Sequence, residues 1–248
     1  MIKKFFVLII TIITVHLIYT GYIRPEANII IEMSREIGQS SPRDIVVIIK
    51  DFEQEICFIL MFWGCFLIFE NYQTVLKNKY LFTVDLVEQK DETNFDPERI
   101  ITKLDTELPS ECNSSPLIQT LRMALWRYAG TKNVQNLSDA VESSLEALAI
   151  RQDSENSMIR YLIWAIPSIG FIGTVRGIGQ ALSMADKALA GDISGMTNSL
   201  GIAFNSTFVA LLLSIFLMFL FHQLQRLQDS EILDTQAYCD KYLLGRIK

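Results

Sequence analysis

Two apolar segments in the C-terminal half of the chain constrain its fold more than any other feature. They cover residues 166–179 and 200–211, and each lies inside a longer apolar run. Such runs reach the roughly 20 residues that a helix needs to cross the hydrocarbon core of a bilayer. Both segments place a threonine among small residues, and neither contains Asp or Glu. The pair therefore predicts two membrane helices that line something polar.

The remaining sequence predicts an all-α membrane protein with four transmembrane helices. Half of the 248 residues are hydrophobic, which is at the upper end of the range for soluble domains. We expect a helical cytoplasmic domain between spans 2 and 3, and a long helix that runs from this domain into span 3. The predicted segments are a first transmembrane helix (1–23), an external loop (24–55), a second transmembrane helix (56–72), the cytoplasmic helical domain (73–157), a membrane helix pair (158–223) and a cytoplasmic C-terminal helix (224–248).

The apolar run from Phe5 to Tyr22 has two open interpretations. Lys3 and Lys4 before an apolar stretch are typical of a signal peptide. The run is also long enough to span a membrane, and no clear small-x-small cleavage site follows it, which favours an uncleaved helix. Basic residues beside the spans favour a cytoplasmic location for both termini and for the helical domain.

Helix signals fill the segment between the second and third spans. The residue pairs 96–97 and 115–116 each place a proline directly after Asp or Ser, a pattern that begins helices. Ser138 begins a further helix whose apolar pattern nothing interrupts before the third span. We therefore expect one helix from Ser138 to about Ala185, bent at Pro167.

Small and hydroxylated residues form one stripe on each helix of the pair, because they recur at intervals of three and four. Such stripes let helix backbones approach closely, so one open interpretation is packing alone. The packing and hinge positions are Pro167, Gly170, Gly173, Gly177, Ala203 and Ala210. The other interpretation is a polar path through the membrane, whose candidate lining residues are Thr174, Thr207, Ser206 and Asn205.

A polar path of this composition needs an acid from elsewhere. Threonine hydroxyls donate and accept hydrogen bonds, but they carry no charge at ordinary pH. Conduction would therefore require a partner helix that bears a carboxylate. Arg176 is the one charged residue in the segment 166–179, and a charge inside a span is a functional candidate. Snorkelling or a structural ion pair is the favoured interpretation of Arg176, and gating is the other.

Other function classes find little support in the sequence. A net charge of −6 without a Lys/Arg stripe argues against nucleic acid as a partner. The four cysteines and two histidines form no metal-binding motif, so we expect neither a metal nor a cofactor. An enzyme is not expected, because Ser168 has no His or Asp nearby and no phosphate-binding loop occurs.

Both segments match a known pair of motifs. A proline followed by Gly-x-x-Gly-Thr-Val-x-Gly is matched from Pro167 to Gly177, and Ala-Leu-x-x-Thr-x-x-Gly-Leu is matched at Ala203, Thr207 and Leu211. These motifs occur in the same order around a short loop in the MotA/TolQ/ExbB proton-channel family, which this chain resembles over roughly residues 157–223.

The resemblance implies a stator-type molecular motor in the bacterial inner membrane. Its homopentamer would surround two copies of a single-span partner similar to MotB, TolR or ExbD, each with a critical aspartate. Ion flow, with the proton favoured over sodium, would turn one ring against the other, and Thr174 and Thr207 would face the pore. Four spans with a cytoplasmic domain are similar to the MotA layout. The alternative is a non-conducting membrane scaffold of the same fold.

Several positions depart from the family pattern. Phe204 replaces a leucine, Phe216 stands near the place of a proline, and Arg176 takes a position that is more often apolar or aromatic. Asn205 and Ser206 before the threonine resemble the ZorA branch of anti-phage systems, here without its long tail. The process that is driven therefore stays open between flagellar, Ton/Tol-type and anti-phage roles.

Overall fold

The computed structural model of the chain describes residues 2–36, 44–88 and 95–247, and every regular element within them is helical. Within these residues, four helices are long and apolar enough to cross a membrane by length and composition. The predicted all-α fold with four spans is therefore confirmed. The sidedness of the segments between the spans stays a prediction. Residues 37–43 of the predicted external loop and 89–94 of the predicted helical domain lie outside the described residues, as do residues 1 and 248.

The described residues form a succession of α-helices along the chain. The first membrane helix, α1 (Ile2–Ile18), passes through a π-helical turn (Tyr19–Ile23) into α2 (Arg24–Glu36). The remaining helices are α3 (Ile45–Ile49), α4 (Phe52–Asn78), α5 (Pro97–Glu107), α6 (Pro116–Thr131), α7 (Val134–Ser183), α8 (Ala185–Leu189) and α9 (Ser194–Tyr238). Short 3-10 turns lie at Lys79–Thr83, Ser110–Ser114 and Leu244–Arg246, and a second π-helical turn lies at Cys239–Leu243.

Helix α7 is the long helix that the sequence predicts to run into the third span. It has 50 residues and continues through Pro167. At 1.5 Å per residue it is about 75 Å long, more than twice the roughly 30 Å hydrocarbon core of a bilayer. The prediction of one helix shared by a span and the preceding domain is confirmed.

The chain divides into two compact units. The first comprises Met1–Phe69 and Met158–His222, and we call it the membrane unit. The second comprises Glu70–Ser157 and Gln223–Lys248, and we call it the helical unit.

In the membrane unit, α4 packs against both α7 and α9. A Cβ atom added to Gly64 of α4 would lie 2.9 Å from Leu217 Cδ2 of α9 and 3.4 Å from Leu162 Cδ1 of α7. The thiol of Cys57 on α4 also donates to the carbonyl oxygen of Ile166 on α7, at an Sγ–O distance of 3.5 Å. Helix α4 is therefore a third helix held directly against the α7–α9 pair.

In the helical unit, buried amides join α7 to α9. Gln152 Nε2 donates to Glu231 Oε2 at 3.0 Å, and Asn156 Nδ2 donates to Gln228 Oε1 at 2.7 Å. All four side chains are buried. An axial shift of either helix would leave buried polar groups unpaired, which is costly. These bonds therefore hold α7 and α9 at one axial offset.

Local capping explains where two of the helices begin. Asp96 accepts hydrogen bonds from the backbone N–H groups of Glu98 and Arg99, which starts α5 as the sequence predicts. Asp192 accepts from both the hydroxyl and the backbone N–H of Ser194, the first residue of α9. These two hydrogen bonds hold the pKa of the Asp192 carboxyl below its ordinary value.

Candidate functional site

Helices α7 and α9 approach so closely that their backbones are nearly in contact. A Cβ atom added to any of three α7 glycines would lie 2.5 to 2.8 Å from a Cβ atom of α9. Real Cβ atoms do not approach other atoms that closely, so only glycine fits at these positions. The facing pairs are Gly170 with Ala210, Gly173 with Ser206, and Gly177 with Ala203. The structure thus brings together all of the predicted packing residues except Pro167, which lies one turn from Gly170.

The two predicted lining threonines meet in the middle of this contact. The hydroxyls of Thr174 and Thr207 are hydrogen-bonded to each other. Thr174 Oγ1 also lies 3.0 Å from the carbonyl oxygen of Ala203 and 3.2 Å from that of Gly170. Thr207 Oγ1 lies 3.3 Å from the same Gly170 oxygen. We call the contact between α7 and α9 around these hydroxyls the seam.

The hydroxyl pair has capacity for a further hydrogen-bond partner. Each hydroxyl has one proton and two lone pairs. When one donates to the other, the second proton goes to a backbone carbonyl, and three of the four lone pairs stay unused. Both side chains are only partly buried. The pair can therefore accept a proton-bearing group from outside the protomer without losing its own contacts.

The other two candidate lining residues differ from the threonines. Ser206 is 1% exposed and donates to the carbonyl oxygen of Ile202 at 2.9 Å within its own helix. Asn205 is half-buried, and within the described residues its side chain has no hydrogen bond. Ser206 therefore lies behind the threonine pair, against Gly173, while Asn205 has polar groups available for another chain or for water.

Pro167 changes the backbone hydrogen bonding of α7 in a way that α9 repairs. Proline has no N–H, so the carbonyl of Ile163, four residues earlier, loses its helical donor. Ser214 Oγ of α9 donates to the Ile163 oxygen at 2.9 Å. Ser214 is 8% exposed, so its hydroxyl replaces the missing donor in a buried place. Ser214 lies four residues after Ala210, on the same face of α9, but nothing in the sequence indicates this role.

The Ser214 bond leads to a stability prediction. We expect Ser214→Ala to lower the free energy of unfolding by about 1–3 kcal/mol, because a buried carbonyl is left without a donor. Ser168→Ala is the matched control, since the exposed Ser168 hydroxyl bonds to Trp164 O of its own helix and should matter little. The measurement is thermal unfolding of the purified chain in detergent. Equal stabilities of the two variants would contradict the assigned role.

One protein-family model matches a segment of the chain that contains the seam between α7 and α9. The family model described as the MotA/TolQ/ExbB proton channel family matches residues 113–237, just over half of the chain. The chain belongs to the MotA/TolQ/ExbB proton channel family. No curated protein and no solved structure gave a match. Membership of a MotA/TolQ/ExbB channel family, together with four apolar helices, makes the chain a multi-pass membrane protein of the channel class.

This MotA/TolQ/ExbB protein also has an acid beside the seam that no local sequence motif indicates. Arg176 Nη2 of α7 lies 2.8 Å from Glu53 Oε2, in the first turn of α4. The Glu53 side chain is 7% exposed and that of Arg176 is 41% exposed. A buried carboxylate thus compensates the charge of Arg176. The pairing spans 123 residues, which hides it from any local pattern.

A second buried acid on α4 contacts the first membrane helix. Glu55 Oε1 lies 2.7 Å from His16 Nδ1, and Glu55 Oε2 lies 2.5 Å from Arg24 Nη2. Glu55 is 3% exposed. Glu53 and Glu55 therefore turn to different neighbours, Glu53 to α7 and Glu55 to α1 and α2. One sequence signal points to such acids: an Arg inside a span needs a counter-charge, and acids at the start of a neighbouring span are candidates.

Proposed function

We propose that the chain is a subunit of a motor or channel that is driven by the ion-motive force across the bacterial inner membrane. The observation that carries this proposal is the Thr174–Thr207 hydroxyl pair at a backbone-to-backbone helix contact. Hydroxyls can pass a proton, because they donate and accept, but they cannot store its charge. The threonine pair has no acid of its own, and Glu53, the buried acid beside the seam, is bonded to Arg176, so the proposal takes the ion-carrying acid from another chain.

The assembly that fits this chemistry is a homopentamer around a dimer of a single-span partner that bears an aspartate. The aspartate takes up the ion and carries its charge, and the hydroxyl pairs of successive protomers pass the proton on. Stepwise transfer around the ring then gives rotation or other mechanical work. The proton is favoured over sodium, because the hydroxyls already use the neighbouring carbonyl oxygens that a metal ion would need.

Exposed apolar side chains on the outer faces of α7 and α9 support the binding of a partner there. Several large apolar side chains of α7 and α9 are more than half exposed in the isolated protomer. Lipid and other protein chains are the surroundings that accept such surfaces. The clearest examples are Trp164, Val175, Phe204 and Phe208. Both termini and the helical unit are proposed to lie on the cytoplasmic side, from the basic residues that flank the spans.

The mass of the native complex tests the proposal. The full chain would carry an affinity tag in its source cells, and the membrane complex would be purified and weighed by native mass spectrometry. We expect five copies of the chain with two copies of a smaller protein that has one apolar span containing Asp. A monomer, or a ring without any such protein, would refute the motor.

A non-conducting scaffold is the second candidate, and one observation favours it. The threonine hydroxyls are satisfied by each other and by backbone carbonyls inside one protomer. Hydroxyls that only stabilise helix packing would also form all of their hydrogen bonds inside one protomer. The two candidates differ in ion flux: a scaffold in proteoliposomes does not dissipate an imposed pH gradient, whereas the motor complex does.

A further inference from the structure

We propose that Glu53 neutralises Arg176 beside the seam, and that this neutrality is required for cations to pass along α7 and α9. The inference rests on the proposed function and adds to it a residue outside the channel helix pair. Glu53 acts through Arg176, so it is a positioning and charge-compensating residue.

Glu53 lies against the α7–α9 contact at Gly173. A Cβ atom added to Gly173 would lie 3.2 Å from Glu53 Cγ and 2.7 Å from Ser206 Oγ. Glu53 and Ser206 therefore both lie against Gly173, the residue directly before Thr174. Glu53 pairs with Arg176, three residues beyond Gly173 on α7, at an Nη2–Oε2 distance of 2.8 Å. The ion pair thus lies beside the α7–α9 contact, on the side of Gly173.

Burial strengthens the electrostatic effect of Glu53 and Arg176 on any ion nearby. A unit charge in a partly buried site acts over a longer range than in water, because the surroundings screen it less. Without Glu53, Arg176 would place an uncompensated positive charge beside the path and would repel protons and metal cations alike. With Glu53 bonded to Arg176 at 2.8 Å, the two charges largely cancel.

The arrangement of Glu53 also fits a compensating role better than a solvent-side ion pair. Glu53 is 5% exposed, and its stem occupies the space that the missing side chain of Gly173 leaves. Exposed ion pairs contribute little, whereas the removal of one member from a buried pair leaves a charge that is costly to hold. The buried carboxylate of Glu53 therefore depends on Arg176 for its charge compensation, because the Arg176 side chain is 41% exposed and that of Glu53 only 7%.

The test is a set of charge variants measured for ion flux. The complete complex would be reconstituted in liposomes, with an imposed pH gradient and a pH-sensitive dye in the lumen. We expect Glu53→Gln to lower proton flux about tenfold, because an uncompensated unit charge then lies beside the α7–α9 contact, where the effective dielectric constant is about 20. The double variant E53Q/R176Q is expected to restore flux to within about twofold of wild type, because no charge is left to repel cations.

Two further variants separate charge from shape. Glu53→Asp keeps the carboxylate and is expected to conduct far better than E53Q. Glu55→Gln is the matched control, because Glu55 is a buried acid on the same helix that pairs with His16 and Arg24. Any loss of flux in E55Q should not be relieved by R176Q.

The outcomes distinguish the inference from the proposed function. A wild-type complex that carries no ions overturns the proposed function and the inference with it. A conducting wild type with normal flux in E53Q, or with no recovery in E53Q/R176Q, overturns the inference alone. If E53Q does not assemble, the double variant E53Q/R176Q still tests the inference. Assembly and proton flux in E53Q/R176Q would support the need for a neutral pair. Failure of E53Q/R176Q to assemble or to conduct would overturn it.

Discussion

Thr207→Val is expected to abolish ion-driven function while the protomers still assemble. Valine has nearly the same shape as threonine, so the packing of α9 against Gly170 should survive. The lost interactions are the hydrogen bond to Thr174 and the contact with the Gly170 carbonyl, which together should cost about 1–2 kcal/mol of stability. Thr174 keeps its bond to the Ala203 carbonyl, so no buried hydroxyl is left unpaired.

The loss of function should be much larger than the loss of stability. A group positioned for proton transfer typically contributes about 10²- to 10⁴-fold to a rate, so we expect proton flux to fall at least about a hundredfold. Flux into proteoliposomes that contain the complete complex is the measurement, with size-exclusion chromatography to confirm assembly. Thr207→Ser keeps the hydroxyl and should retain most of the flux. A valine variant that conducts normally would show that the threonine pair serves packing alone.

Gly177→Leu is expected to break the α7–α9 contact itself. Even a Cβ atom at Gly177 would lie 2.8 Å from the backbone nitrogen of Ala203 and 2.9 Å from its Cα atom. Backbone atoms cannot turn aside as a side chain can, so the helices would have to separate. Overpacking of this kind costs about 1–3 kcal/mol or more, and a leucine adds three further carbons to the clash.

A neighbouring glycine provides the matched control. Gly179 lies on the same helix, and a Cβ atom there would meet nothing within 4 Å. Gly179→Leu should therefore form the same oligomer as wild type, whereas Gly177→Leu should yield aggregated or monomeric protein in detergent. A stable pentamer of the Gly177 variant would be the result that rules out close packing at this position.

The parts of the fold that depend on local pattern can be predicted from the sequence. Predominantly apolar segments of 17 residues or more predict the spans, and an unbroken helical pattern before Pro167 predicts the long helix α7. The seam is predictable for a similar reason. Small residues at intervals of three and four mark the face on which a second helix approaches, so Gly170, Gly177 and Ala203 lie in the contact.

The parts that depend on distant pairing cannot be predicted in the same way. Glu53 and Arg176 are 123 residues apart, and neither residue's neighbours indicate the other. The charged stretch that contains Glu53 reads as an external loop, yet Glu53 lies within α4, which begins at Phe52. The role of Ser214 is hidden for another reason. Its partner is a backbone carbonyl, and only the three-dimensional contact shows which carbonyl Pro167 has left without a donor.

The bond from Ser214 to Ile163 has a consequence for how such a machine can move. Helix α7 depends on α9 to complete its own hydrogen-bond ladder at the proline. The two helices therefore behave as one rigid pair, because any sliding between them would leave the Ile163 carbonyl without a hydrogen-bond donor. Mechanical work by such a protein would leave this helix pair intact and would move a partner chain that is bound to its outer face.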